Sequence, residues 1–319
     1  MMKRVSQNDL QKMYEAPSSD LEERIHQTIA SLPVQVQEGK VMKKKWFMSA
    51  VLALVLILAV GAIGLAGSGI FGNRTVDYDG NVTESEGVTD VQVQELQTEY
   101  KELMKIHEKV PDGDLGVIYN DEGQMRSMKM SRVMNNWEEF EKAIAGVDYL
   151  PGPVRYPEGL VLEKAEIFLA CRAGGEYRLA EESTEGKYTL KRYTVDDADK
   201  FICAYLLQFR DSVSGEKKLQ VASELCTALP INFGIDEEDT FETVSIPGMD
   251  NALLFHFTEG DLWALEMQRK LEKSIAFQQM PGDDFANQFD SYREAHLEIR
   301  TADRSISPDT LTDMMRVDE

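Results

Sequence analysis

The residues that most often bind metals or act as nucleophiles and bases are few and widely spaced in this chain. The cysteines are Cys171, Cys203 and Cys226, and the histidines are His26, His107, His256 and His296. No two cysteines form a C-x-x-C pair, whereas zinc and redox sites need ligands at close spacing. The sequence therefore predicts no metal ion and no cofactor.

The three cysteines all lie on runs in which apolar residues alternate with polar ones. Because free cysteine behaves as a small apolar residue, this pattern predicts buried free thiols. A disulfide between Cys203 and Cys226 is the alternative, since an extracytoplasmic position permits oxidation.

Other patterns also give little sign of catalysis. The chain has no G-x-S-x-G, H-E-x-x-H, P-loop or G-x-G-x-x-G sequence. Acidic stretches at 196–199, 236–239 and 283–284 lack the alternating oxygen ligands and closing glutamate of a calcium loop, so we interpret them as solvated loops. His256 lies inside the apolar run 253–257, which favours a sheet residue over a base. We predict that the protein is not an enzyme.

A long uncharged segment divides the chain into three parts. Trp46 to Asn73 is 28 residues without a charge, preceded by Lys43, Lys44 and Lys45. About 20 apolar residues span a bilayer core, so the segment predicts one transmembrane helix in the lipid bilayer. A cleaved signal peptide is the alternative, with 66–69 as its cleavage site, but a polar stretch of 45 residues precedes the segment.

The charges on either side of the segment predict its orientation. Cytoplasmic flanks carry the excess of Lys and Arg, so Lys43, Lys44 and Lys45 place the N-terminus on the cytoplasmic side of the cell membrane. The first 45 residues have a net charge of +2, and residues 74–319 have a net charge of −24. An acidic outer part disfavours nucleic acid and anionic lipid as its partners.

The 45-residue tail contains a predicted amphipathic helix. The side chains of Leu21, Ile25, Ile29 and Leu32 recur at helical spacing and form one apolar stripe that ends at Pro33. The polar face of this helix is acidic, which disfavours a membrane surface and favours docking into the groove of a partner protein. A disordered tail that only directs membrane insertion is the alternative.

The part after the span predicts an α+β domain with a mixed, mainly antiparallel sheet. We expect a juxtamembrane linker and a helix at 74–110, followed by the extracytoplasmic domain at 111–319. Strand-length runs separated by turn residues indicate antiparallel pairing. The predicted strands include 160–171, 219–226, 262–267 and 295–301. Two helices are predicted from their caps: one follows Asn136, and the other has Ser307 as N-cap with Pro308 after it.

Several turn and strand motifs resemble a known family. The motifs are the turns Tyr149-Leu150-Pro151 and Tyr156-Pro157-Glu158-Gly159, the segment 244–248 before the strand at Leu262-Trp263, and Ser307 to Leu311. Over about residues 147–317 the chain resembles the outer domain of unknown function found in single-pass anti-sigma-factor-like membrane proteins of Gram-positive bacteria.

The resemblance implies a membrane-anchored regulator whose tail binds a sigma factor and whose outer domain senses the envelope. Many anti-sigma factors carry a zinc-binding histidine and paired cysteines in the cytoplasmic part, but this tail has His26 and no cysteine. Binding would therefore use the Leu21, Ile25, Ile29 and Leu32 stripe without a metal. The alternative is an envelope protein whose outer domain binds a ligand or partner and whose tail serves only for insertion.

Overall fold

The computed structural model describes residues 74–77, 81–84, 90–227, 233–258, 260–278 and 289–316. Within those ranges no helix has the length and apolar character needed to cross a membrane. The predicted tail and the predicted span, Trp46 to Asn73, lie outside the described residues.

One large antiparallel sheet dominates the described part of the chain. It has eleven strands in the order β11-β12-β13-β14-β9-β8-β5-β4-β3-β7-β6, and β1, β2 and β10 form a second, three-stranded sheet. The strands are β1 (Arg74–Val76), β2 (Val82–Glu84), β3 (Leu115–Asn120), β4 (Met125–Met134), β5 (Leu160–Cys171), β6 (Arg178–Glu185), β7 (Tyr188–Thr194), β8 (Lys200–Asp211), β9 (Lys217–Cys226), β10 (Phe233–Ile235), β11 (Thr240–Thr243), β12 (Asn251–Phe257), β13 (Leu262–Gln278) and β14 (Phe289–Thr301). The helices are α1 (Asp90–His107), α2 (Trp137–Ile144) and α3 (Pro308–Asp313).

The first face of the large sheet carries the main hydrophobic core. Side chains alternate between the two faces of a strand, so every second residue of β5, β8, β9, β13 and β14 contributes to this core. Members at the centre include Leu207, Val221, Leu265 and Ile299, none of which is exposed to solvent. Burial of these aliphatic side chains is the main force that holds the strands in register.

Helices α2 and α3 begin at their predicted caps and cover the first face of the large sheet. The side chain of Asn136 accepts a hydrogen bond from the Glu139 backbone N–H, and Ser307 accepts one from Thr310. Phe140 of α2 and Leu311 of α3 are buried in the core. The two caps satisfy backbone donors that would otherwise lack partners at the helix starts.

The second face is covered at its two ends by different elements. At the β3–β4–β7 end, Leu103 and Ile106 of α1 pack on Ile118. At the β12–β13 end, the three-stranded sheet packs Val76 and Ile235 against an apolar cluster of the large sheet. The centre of the second face lies between these two apolar contacts.

The observed architecture agrees with the coarse prediction of antiparallel sheet with a few helices. The described helices are few, so the domain is mostly β. Part of the predicted juxtamembrane linker is paired instead, because β1 bonds to both β10 and β2. All three cysteines are free thiols, and Cys171 is buried. Burial raises the pKa of Cys171 to about 11, which leaves it protonated and unreactive at neutral pH.

Candidate functional site: a polar layer on the second face of the sheet

The site residues predicted from the sequence cannot be placed in this structure. Leu21, Ile25, Ile29 and Leu32, and the topogenic Lys43, Lys44 and Lys45, lie outside the described residues. The tail helix and its partner therefore stay predictions. The described part of the chain offers a different site.

Charged and amide side chains collect at the centre of the second face. We call this group the polar layer; its members are Gln220 and Glu224 of β9, Glu266 of β13, and His296, Glu298 and Arg300 of β14. Glu266 has an exposed fraction of 1% and Gln220 of 2%, values usual for core leucines. Polar groups buried this deeply cost free energy unless they find partners.

The register of three neighbouring strands brings the polar layer together. Glu266 lies opposite Glu298, and on the other side of β14 Arg300 lies opposite Gln220. His296 lies opposite Glu224. Residues directly opposite each other in an antiparallel pair point to the same face, so all six side chains share the second face.

Glu266 is the central acceptor of the polar layer. His296 Nε2 lies 2.8 Å from Glu266 Oε2, and Arg300 Nη2 donates to Glu266 Oε1 at 3.3 Å. Arg300 also pairs with Glu298, and His296 Nδ1 lies 3.4 Å from Glu224 Oε1. Each cation of this group therefore has two carboxylate partners.

The two carboxylates keep His296 charged. Burial alone would lower its pKa, but the hydrogen bonds to Glu224 and Glu266, together with their negative charges, raise the pKa of His296 to about 9. The imidazole is then a cation at neutral pH and donates from both ring nitrogens. The polar layer thus contains two cations, His296 and Arg300, among its three glutamates.

Gln220 is the exception in this network. Its amide nitrogen and amide oxygen are both buried, and neither has a hydrogen-bond partner. An unsatisfied buried polar group costs about 1–3 kcal/mol. In native structures a bound water molecule or ion is one way in which such a group is satisfied.

A second charged group borders the polar layer on the α1 side. Glu166 of β5 accepts from Lys129 at 2.6 Å, from Ser131 at 2.8 Å and from Lys164 at 3.0 Å. Burial alone would raise its pKa, but the two lysines and Ser131 hold the pKa of Glu166 below its usual value. Glu166 is therefore an anion whose charge is compensated locally.

A serine–histidine pair lies at the end of α1. His107 Nε2 is 2.9 Å from the Ser127 hydroxyl oxygen. Burial, and secondarily the charge of Lys129, lowers the pKa of His107 to about 3. Ser127 has an exposed fraction of 1%, and His107 Nδ1 has no partner that would orient it as a base. The pair therefore lacks both the access and the third group of a nucleophilic site.

A third histidine is held at the β12–β13 turn. His256 Nε2 lies 2.8 Å from Asp261, and Arg304 donates to the other oxygen of that carboxylate at 2.7 Å. The His256 ring stacks on Trp263. These contacts fasten the hairpin turn to the segment after β14, in agreement with the prediction that His256 is a sheet residue with a satisfied ring.

The chemistry open to the polar layer is recognition by hydrogen bonds. In the described part of the chain, no three His, Cys, Asp or Glu side chains converge as a metal site would require. The polar layer contains no serine, threonine or cysteine to act as a nucleophile. It does contain planar amide, carboxylate and guanidinium groups side by side, which suits a polar ligand.

Sequence reasoning predicted the strands of the polar layer but missed the site. The run Ala295-His296-Leu297-Glu298-Ile299-Arg300 alternates apolar and polar residues, and such a pattern normally means that one face is solvated. The signal that was available is the density of charge in β14, with three ionisable residues on one face of a predicted strand. Without the elements that flank the second face, that pattern does not distinguish a solvated face from a buried one.

Comparison with protein-family models, with curated proteins and with solved structures gives no match for this chain.

Proposed function

We propose that this protein is a single-pass membrane regulator of the anti-sigma-factor-like kind. Its cytoplasmic tail binds a sigma factor through the Leu21, Ile25, Ile29 and Leu32 stripe, and its extracytoplasmic domain senses an envelope signal. The observation that carries the proposal is the uncharged segment Trp46 to Asn73 with three lysines before it, which separates an amphipathic tail from an acidic domain. The role requires no enzymatic activity and no cofactor.

The start of the outer domain supports a signalling role. β1 begins at Arg74, directly after the last residue of the predicted span, and is the middle strand of the three-stranded sheet. Val76 of β1 is fully buried against the large sheet. In β10, which pairs with β1, the ring of Phe233 lies 6.1 Å from the ring of His296. A change in the polar layer therefore has a short, packed path to the strand that follows the span.

The proposal is tested by capture of the partner with the full-length protein. Membranes from cells that express a tagged chain are solubilised, and the proteins bound to the tag are identified by mass spectrometry. Changing both Ile25→Asp and Ile29→Asp places two charges in the apolar stripe and is expected to abolish capture of a sigma factor. Docking in a groove depends on these buried anchors.

The matched control is the double variant Gln27→Asp with Ala30→Asp. It adds the same two charges on the opposite side of the predicted helix, so capture is expected to persist. Retention of a sigma factor by the Ile25→Asp/Ile29→Asp protein would rule out the stripe as its binding surface. Absence of any sigma factor from the wild-type capture would rule out the regulator.

A second candidate function is an envelope protein whose outer domain binds a ligand and whose tail only directs insertion. The unpaired amide of Gln220 in the outer domain favours it. Replacing residues 1–36 by a single methionine distinguishes the two, because Lys40 to Lys45 still flank the span. The regulator predicts that this deletion changes the transcripts of one sigma-factor regulon, whereas the second candidate predicts no change.

A further inference from the structure

Gln220 lies in a row of polar side chains that crosses three strands of the second face. Along the row of opposed residues, Gln220 lies between Gln208 of β8 and Arg300 of β14. Ala222, two residues further along β9, lies on the same face and is only partly buried. On its other side Ala222 packs against the apolar cluster of Phe168, Ala204 and Leu206. Ala222 is partly exposed, so solvent reaches the second face of the sheet beside Gln220.

The charged side chains around Gln220 are already paired with one another. Arg300 is neutralised by Glu266 and Glu298, and His296 lies between Glu224 and Glu266. A strongly charged ligand would have to break these buried pairs, at a cost of several kcal/mol. The group that lacks a partner is the neutral amide of Gln220, so its complement is a neutral group.

The geometry of a side-chain amide further restricts which neutral groups can pair with Gln220. A carboxamide presents its oxygen and one N–H on the same edge, as an adjacent acceptor and donor. Two bonds form at once only with a ligand whose own donor and acceptor lie on one edge. A primary carboxamide and a lactam ring have such an edge. A trans peptide group does not, because its N–H and C=O point in opposite directions.

We propose that the polar layer binds a neutral ligand with a cis-amide edge, a primary carboxamide or a lactam, through the amide of Gln220 beside Ala222. The ligand accepts a hydrogen bond from the Gln220 nitrogen and donates one to the Gln220 oxygen. Both buried polar atoms are then satisfied, and the neighbouring ion pairs stay intact.

The first test compares two probes that differ in one hydrogen-bond donor. 2-Pyrrolidone has the cis-amide edge, and N-methyl-2-pyrrolidone is the same lactam without the N–H. The full-length protein in lipid nanodiscs is heated with increasing millimolar concentrations of each. 2-Pyrrolidone is expected to raise the unfolding temperature in a saturable way, because a ligand that binds only the folded state stabilises it. N-methyl-2-pyrrolidone is expected to have no saturable effect.

The second test assigns the effect to Gln220. Gln220→Met keeps the length of the side chain and removes the amide, so the 2-pyrrolidone shift is expected to disappear. Without ligand this variant is expected to unfold at the same or a higher temperature, because an unsatisfied amide has been removed. Gln124→Met, in the distant β3–β4 turn, is the matched control and is expected to keep the full shift.

Ala222→Val supplies a variant that leaves the amide in place. It adds two methyl groups beside Gln220, where the ligand would bind, and is expected to reduce the 2-pyrrolidone shift even if the methionine variant folds poorly. The proposal is overturned if both lactams shift the wild-type protein equally, if neither does, or if Gln220→Met retains the shift.

The idea that this ligand is the signal sensed by the outer domain rests on the proposed function. The lactam experiments themselves do not, because they measure binding to the outer domain alone. Loss of sigma-factor capture with retained lactam binding would refute the regulator and leave the site. The reverse result would refute the site and leave the regulator.

Discussion

His107 and His296 are both buried on the second face of the same sheet, yet their protonation is opposite. His107 is the last residue of α1, where its Nε2 meets the Ser127 hydroxyl, and burial lowers its pKa to about 3. His296 lies in the polar layer, where burial acts in the same direction but Glu224 and Glu266 raise its pKa to about 9. One imidazole is neutral at physiological pH and the other is a cation.

The comparison teaches that the partner, rather than the depth of burial, decides the charge of a histidine in this fold. A hydroxyl partner does not offset the cost of burying a charge, whereas two carboxylates do. The α1 end therefore has the character of structural packing. The polar layer instead contains a network of paired charges, in which removal of a buried member is destabilising because its partner is left unpaired.

The largest expected effect comes from removing the central acceptor. Glu266→Gln leaves Arg300 and His296 short of one negative charge, and breaking a buried ion network costs about 3–5 kcal/mol. Urea unfolding of the full-length protein in detergent measures the loss. Glu272→Gln, an exposed position on the same strand, is expected to change stability by less than about 0.5 kcal/mol. Equal effects of the two changes would show that Glu266 has no special role.

The pH dependence of stability separates the two histidines. His296 has a folded pKa above its unfolded value, so its stabilisation is complete below about pH 6.5 and is lost as the pH rises through about 9. A shift of this size corresponds to about 3 kcal/mol. His107 has the opposite sign: its stabilisation is present above pH 6.5 and is lost as the pH falls toward 3.

Unfolding free energies measured from acidic to alkaline pH should therefore decline between neutral pH and about pH 9. In His296→Gln that alkaline decline should flatten, while His107→Gln should leave it in place. An unchanged alkaline slope in His296→Gln would contradict the charged state assigned to this ring.

The smallest expected effect is at the α1 end. Ser127→Ala removes the hydroxyl partner of His107 and leaves a neutral buried ring nitrogen unsatisfied, at a cost of about 1–3 kcal/mol. Thermal unfolding of the variant should show a correspondingly smaller decrease than that of Glu266→Gln. A loss as large as that of Glu266→Gln would mean that the two ends of the second face do not differ in the way described.

Local signals in the sequence predicted most of the individual elements. The strand Leu160–Cys171 has the predicted bounds, and α2 and α3 begin at their predicted caps, Asn136 and Ser307. These features depend on alternation and on capping residues within a few positions, so a single sequence contains them. The eleven-strand order does not follow from such signals, because pairings such as β3 with β7 join strands far apart in the chain.

The candidate site was not predictable for a related reason. β1 and β2 have three residues each, too few for a periodic pattern, so the segment around Val76 was interpreted as a linker. The burial of His296 and Gln220 depends on which elements flank the second face of the sheet in the folded chain. Alternation assigns these residues to one face of the sheet, but it does not show whether that face is buried or exposed to solvent.

The difference between the two histidines is measured most directly by NMR of the imidazole rings in the full-length protein. Isotope-labelled histidine is incorporated into the four positions of the chain, and His107→Gln and His296→Gln assign the two signals. The His296 ring is predicted to be protonated at neutral pH and to titrate near pH 9, with His107 neutral down to about pH 5. A neutral His296 at pH 7, or a protonated His107 at pH 5, would contradict the assignment of a charged layer beside a neutral packing contact.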